Sequence, residues 1–285
     1  MRTRRNFMQR LDGKVALVTG AGRGLGWGIA RALGQAGAQV CLTDINPDEL
    51  DRALADMRGD GSQVMARLLD VAGREDFQAT VDAVVATWGR LDILVHNAIY
   101  MPLVRFDDMS PDLWQRQLDV SLGGLYNATY AAWDVMKAQG GGHIIGIASG
   151  SSVRGYKEEV AYCTAKHAQE GFIKALALEA AAFAIALNSI GPGRTIKPTR
   201  LTWAELDALP SEEKAQWADP VALGEAFVWL AAQPPTRFSG LRFDAGPIVD
   251  TIAAEGFDFA VTPEKVTLYV DDFVARQQWQ ADHHE

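Results

Sequence analysis

A chain of 285 residues with 48% hydrophobic side chains is long enough to bury one large core and needs no second module to account for its size. A formal charge of −9 disfavours a nucleic-acid surface, and no uninterrupted apolar stretch reaches the length of a membrane span. Two cysteines exclude a disulfide scaffold, and five histidines without metal-ligand spacing lead us to expect no metal.

The basic segment Met1 to Arg10 reads as an N-terminal extension with no signal-peptide stretch behind it, so cytoplasmic solution is the expected location. Next, the apolar run Val15 to Val18 is followed by Gly20, Gly22, Gly24 and Gly26 and by a small and apolar face over 27–36. That order predicts strand, tight turn and helix. Glycines at such a turn let backbone approach a pyrophosphate, whose charge is favoured by unpaired amides at the helix N-terminus. Gly20, Gly24, Leu25 and Gly26 are therefore candidate cofactor contacts, with Arg23 as a flexible cation on the same loop. Asp44 ends the segment 39–43, where a carboxylate accepts hydrogen bonds from both ribose hydroxyls of NAD and repels a 2′-phosphate. NAD is expected over NADP.

Strand candidates at 14–19, 39–43, 64–69, 91–96, 143–148, 187–190 and 240–243 alternate with helical patterns. They predict an α/β fold with a single Rossmann-like doubly wound parallel sheet and helices on both faces. Between Asp76 and Trp88, Phe77, Val81, Val84, Val85 and Trp88 share one helical packing face. Ser149 follows the fifth strand candidate and can present its hydroxyl to a substrate oxygen. Tyr162 and Lys166, four residues apart on a helical segment, lie on one face, where the ammonium is expected to lower the tyrosine pKa from its usual value of about 10. Cys163 beside them and Cys41 in a strand read as small neutral side chains.

Over 195–217, Leu201, Trp203, Leu206, Leu209 and Trp217 suit an apolar cover over a pocket, with Trp203 either touching substrate or packing within the loop. Arg154, Tyr156, Arg194 and Lys197 flank the expected cleft. Thr262-Pro263 starts a further helix carrying Val266, Tyr269, Val270, Phe273, Val274 and Gln277 near one face. That stripe needs a partner, whether the substrate opening, the same domain or another subunit.

The combination TGAGRGLG at 19–26, Asp44, Asp70-Val71, His96-Asn97-Ala98, Ser149, YCTAK at 162–166, Pro192-Gly193, Ser239-Gly240 and Asp244-Ala245-Gly246 resembles the short-chain dehydrogenase/reductase family over residues 11–246. The resemblance implies an NAD-binding catalytic domain over that span and a C-terminal extension over 247–285. It implies Tyr162 as acid/base, Lys166 assisting it and binding the nicotinamide ribose, and Ser149 orienting the carbonyl or alcohol. Asp70 and Val71 would meet the adenine, Asn97 would lie beside the adenine ribose and central sheet, and Pro192, Gly193 and Thr195 would complete the cofactor contacts. The implied activity is NAD-dependent hydride transfer with a secondary alcohol/ketone pair, in a homodimer or homotetramer that binds neither nucleic acid nor membrane. An NADPH-dependent 3-oxoacyl-thioester reductase and a noncatalytic nucleotide-binding scaffold are the alternatives, and retention of Ser149, Tyr162 and Lys166 argues against the scaffold.

Two positions depart from the family pattern. Ile99 stands where glycine would leave space beside the cofactor route, and Ser121 stands where an asparagine usually supplies the fourth catalytic residue. The Ser121 carbonyl or hydroxyl is expected to carry a water relay from Lys166.

Overall fold

Each of the seven apolar runs becomes a strand: β1 (Val15–Thr19), β2 (Gln39–Asp44), β3 (Val64–Leu68), β4 (Ile93–His96), β5 (Gly142–Ile147), β6 (Ile185–Gly191) and β7 (Arg242–Asp244). They pair in the order β3-β2-β1-β4-β5-β6-β7, all parallel. The computed structural model that defines them describes residues 10–282. Residues 1–9 of the basic extension, with His283 and His284, lie outside the described residues.

The helices are α1 (Gly24–Gln35), α2 (Pro47–Gly59), α3 (Arg74–Trp88), α4 (Pro111–Leu118), α5 (Gly124–Ala138), α6 (Val160–Ala180), α7 (Trp203–Ala208), α8 (Ser211–Lys214), α9 (Pro220–Ala231), α10 (Ala245–Glu255), α11 (Pro263–Val266) and α12 (Val270–Asp282). Several begin on local chemistry. Asn46, Ser110 and Asp219 each accept from the first-turn amides of α2, α4 and α9, and a proline follows each cap, where its missing N–H costs nothing. Thr202 and Glu205 form a reciprocal capping box on α7.

A parallel sheet is buried on both faces, so its strands must be apolar on both sides. In β1, Ala16 and Val18 join the core beneath Ile29 and Leu33 of α1 and Phe227 of α9. Val15 and Leu17 point the other way, to Phe77, Val81 and Val84 of α3, Leu125 of α5 and Ile173 of α6. Strand order reverses between β1 and β4, which opens a crevice at their C-terminal ends, where ligands of such sheets bind.

The tail differs from the single helix expected after Thr262. α11 is one turn long, Thr267 is extended (φ −150°), and α12 starts only at Val270. The break has a polar cause at the end of β7. Asp244 accepts the Thr267 hydroxyl at 3.2 Å and the Leu268 N–H at 2.9 Å, and a continuous helix would tie that amide to its own turn. Val266 and Phe273 are buried, whereas Val274 is exposed. The Phe273 ring meets Phe243 of β7 edge to face, with centroids 5.5 Å apart, so this part of the stripe packs on the sheet of its own chain. Close by, Arg10 pairs with both carboxylate oxygens of Asp258 at 2.8 and 2.7 Å.

Candidate active site

The glycine turn is held from below. Asn97, just past β4, donates its side-chain amide to the carbonyls of Thr19 (3.0 Å) and Gly20 (2.9 Å). Gly20 sits at φ +62°, and a Cβ there would lie 2.9 Å from the Ala98 backbone; at Gly26 it would lie 2.2 Å from the Gly20 carbonyl. A side chain at Gly20 would have to displace the backbone after β4, and one at Gly26 would push helix α1 off the glycine turn. At the start of α1, Arg23 supplies no side-chain cap and the first turn holds no acidic residue, so its amides face the crevice uncontested. This cradle fits a dinucleotide diphosphate.

Asp44 closes the far side of the cradle. One oxygen accepts the Gly22 N–H at 2.9 Å and the other the Asn46 N–H at 3.0 Å. Each carboxylate oxygen keeps a further lone pair for a ribose hydroxyl. Arg23 on the same loop pairs with Glu49 at 3.3 Å. Asp70 faces the same crevice with one oxygen paired to Arg116 at 2.8 Å, and Asn127 ties down the carbonyls of Val71 and Ala72 at 3.0 and 3.2 Å. Arg116 and Asn127 both lie outside the sequence reading, since nothing in their spacing points to this loop. On the opposite side, the Pro192 carbonyl accepts the Gly246 N–H at 3.1 Å and the Thr195 carbonyl accepts the Ala218 N–H at 2.9 Å, which fixes the start of the 195–217 segment.

Segment 195–217 folds over the glycine turn. The Trp203 indole N–H donates to the Gly22 carbonyl at 2.8 Å, its ring meets Trp27 edge to face at 5.0 Å, and Arg52 lies 4.6 Å above it. Trp203 is therefore a latch on the nucleotide loop, and its ring also borders the cavity beside it. Between latch and loop lies a cavity of about 330 Å³ bordered by Leu25, Ile196, Lys197 and Trp217. Lys197 donates to the Leu201 carbonyl at 2.7 Å. Burial, with help from neighbouring Arg23, brings its pKa down to about 8. Arg194 pairs with Asp250 and so turns away from the cleft.

Ser149, immediately after β5, accepts the Ser151 N–H at 3.2 Å, and its side chain is near enough to the Tyr162 hydroxyl to pull that group's pKa down. Its own carbonyl is held at 2.9 Å by the buried Arg242, which stands 3.8 Å from Asp244. Tyr162 and Lys166 occupy one face of α6, both buried. The expected lowering of the tyrosine pKa is not what the geometry produces. Burial pushes the Tyr162 hydroxyl up to about 12, only partly opposed by the Ser149 side chain. The Lys166 ammonium lies 5.6 Å from the tyrosine ring centroid and spends its protons elsewhere, on the Ile147 carbonyl at 2.6 Å and the Gln169 side-chain oxygen at 2.9 Å. Burial brings Lys166 itself down to about 8, against the pull of Glu170.

The Ser121 carbonyl and hydroxyl differ in what they meet. It lies in a single π-helical turn, Asp119–Gly123, and its carbonyl receives His96 Nε2 at 3.0 Å and Gln169 Nε2 at 2.7 Å. Both acceptor sites are filled by protein, and the buried hydroxyl has no hydrogen-bond partner. Ser121→Ala is accordingly expected to leave kcat within about twofold and to keep or raise stability by up to ~1 kcal/mol, because an unsatisfied buried hydroxyl is removed. Steady-state kinetics and thermal melting check this; a strong loss of turnover would restore a hydroxyl role. Gln169 escaped the sequence reading, although its position three residues after Lys166 on the same helix could have signalled it. Burial also raises the Cys41 pKa to about 12, consistent with a neutral core side chain.

Among the described residues, no helix is long and apolar enough to cross a membrane. A family model described as short chain dehydrogenase matches residues 14–208. The chain is 33% identical over 249 residues to D-threitol dehydrogenase of Mycolicibacterium smegmatis, covering 85% of this chain and 95% of that protein. It is 34% identical over 241 residues to 3-alpha-(or 20-beta)-hydroxysteroid dehydrogenase of Mycobacterium bovis, covering 84% and 91%. A crystal structure of hydroxysteroid dehydrogenase from Escherichia coli superposes with a TM-score of 0.72 at 26% identity, over 84% of this chain and 97% of that one.

Proposed function

The chain belongs to the short-chain dehydrogenase family and is an oxidoreductase, and from that premise we propose that it exchanges hydride between NAD(H) and a secondary alcohol/ketone pair, with Tyr162 as the acid/base. The observation that carries this reading is the buried Tyr162 hydroxyl beside Ser149 at the C-terminal end of the sheet, with Lys166 one turn along the same helix.

The residues that would hold the cofactor surround one crevice. Backbone amides of Gly20, Gly24, Leu25 and Gly26 would meet the diphosphate, Asp44 the adenosine ribose, Asp70, Val71 and Asn97 the adenosine side, and Lys166, Pro192, Gly193 and Thr195 the nicotinamide half. When bound, the nicotinamide supplies hydride exchange at its C4. In reduction, Tyr162 is a neutral phenol at any pH well below about 12, and its Oη donates a proton to the oxygen of the forming alcohol. Ser149 Oγ orients the same oxygen and shares its charge. In oxidation the assignment reverses: Tyr162 Oη must first lose its proton to solvent in the crevice and then accepts that of the alcohol. The Lys166 ammonium, present below about pH 8, favours the phenolate by charge.

Asp44 supports NAD over NADP, because its carboxylate would face an added 2′-phosphate with like charge. Calorimetry is expected to give at least about tenfold tighter binding of NAD(H), ~1.4 kcal/mol. Asp44→Ala should narrow that preference, and overall affinity should fall too because Gly22 loses its anchor. Equal or tighter binding of NADPH by the unaltered protein would remove Asp44 from this role. A screen monitored by NADH absorbance over polyols, hydroxysteroids and cyclic alcohols, the substrates named for relatives including a cyclohexanol dehydrogenase of Acinetobacter, tests the reaction itself.

A further inference from the structure

A continuous chain of hydrogen bonds runs from the glycine turn to Lys166, and the chemistry of its members leaves each proton only one place. Thr19 Oγ1 accepts the N–H groups of both Asn97 and Ala98, each at 3.0 Å. Its lone pairs are used, so its single hydrogen goes to His96 Nδ1, 3.3 Å away. His96 therefore carries its hydrogen on Nε2 and donates it to the Ser121 carbonyl at 3.0 Å. Burial holds the His96 pKa down to about 4, so this neutral tautomer persists across the working pH range. The Gln169 amide must place its nitrogen on the Ser121 carbonyl, an acceptor, and its oxygen on Lys166, a donor.

We propose that Gln169 is a positioning residue for Lys166: it ties the ammonium to the Ser121 carbonyl, occupies the place where a relay water would stand, and so makes Lys166 act by charge alone. Neither a backbone carbonyl nor a neutral carboxamide readily passes on a proton, so the chain behind Lys166 holds it and does not conduct. Two ammonium protons are committed to Ile147 and Gln169, which leaves one to face the crevice. The inference rests on the role assigned to Lys166 above, but the placement of Gln169 does not depend on it.

The charged and titratable groups facing Lys166 are Tyr162 and Glu170 on its own helix, His96 on β4 and Arg242 on β7. Glu170 supports the ammonium and Arg242 opposes it. Loss of the Gln169 oxygen therefore removes a neutral acceptor that stabilises the charged form, and the ammonium should give up its proton at lower pH. A carboxylate at the same place should do the reverse.

The test uses Q169M and Q169E in the full chain. The Lys166 titration is read in cofactor-free protein from the carbon-13 signal of its Cε, assigned with K166R, and the pH profile of kcat/KM is recorded in parallel. Q169M is expected to lower the Lys166 midpoint from about 8 by about one pH unit, and Q169E to raise it by a similar amount. In Q169M, kcat should fall about tenfold while substrate KM stays within about twofold. If both variants fold and the Lys166 midpoint stays at the unaltered value, Gln169 is only a packing residue and the proposal fails. If Q169M does not fold, Q169E alone decides: a raised midpoint supports the proposal and an unchanged one overturns it. A midpoint that moves while the rate profile does not would support the positioning and instead remove Lys166 from the proposed reaction.

Discussion

Replacing Tyr162 with phenylalanine is expected to lower kcat by about 10²- to 10⁴-fold, the range a positioned general acid or base contributes, while NAD(H) binding stays within about threefold. The substitution deletes one oxygen and leaves the ring in its buried seat on α6, so the helix and Lys166 are undisturbed. What disappears is the hydroxyl beside Ser149 that would meet the substrate oxygen. Because burial holds that hydroxyl neutral up to about 12, the unaltered enzyme should work most readily as a reductase near neutral pH, and its oxidative rate should climb as pH rises. The climb stops where Lys166 begins to lose its charge, near 8. Turnover of a substrate found in the screen, measured in both directions over pH 6 to 10, checks both statements. A folded Tyr162→Phe protein that binds NADH and turns over at the normal rate would end the acid/base assignment.

Phe273→Ala is expected to cost ~3–5 kcal/mol of stability, measured by urea unfolding. The side chain is 3% exposed and packs on Phe243, which itself touches Trp229 and Phe238, so a cavity there cannot easily collapse. Val274, its exposed neighbour, serves as the control: Val274→Ala should change stability by less than ~0.5 kcal/mol. Deleting 262–285 should do more than remove Phe273. It takes the Thr267 and Leu268 donors from Asp244 and uncovers the edge strand β7, so association or aggregation should follow. Arg242, which holds the Ser149 carbonyl, would lose the Tyr269 ring 4.2 Å from its guanidinium and keep a loosened Asp244 partner. Lower turnover should therefore accompany the lower stability. Equal stability of Phe273→Ala and the unaltered protein would mean that the tail rests on the sheet without supporting it.

The sheet was legible because its central strands lie in the interior and must be written as apolar runs, while the glycines of 19–26 mark a turn where backbone has to pass close to backbone. Tyr162, Lys166 and Ser149 were legible for a different reason: two share a helical face at a spacing of four, and the third ends a strand of the same sheet. Family resemblance then joined them into one site. The tail was misread where a helical period continued through Thr267, because periodicity carries no record of a carboxylate 23 residues earlier that would capture the next amide.

The residue sequence by itself determined the parallel α/β architecture, the glycine turn and the identity of the acid/base candidates, since each depends on nearby residues or on the alternation of burial along one element. Only the tertiary structure decided how the site is tuned. Burial, not the neighbouring ammonium, dominates the Tyr162 hydroxyl; His96 and Gln169 fill the carbonyl of Ser121; Trp203 latches the nucleotide loop from 181 residues away. Desolvation and the filling of lone pairs depend on which groups meet across the sheet, and those meetings are fixed by packing between elements, with no trace in local spacing.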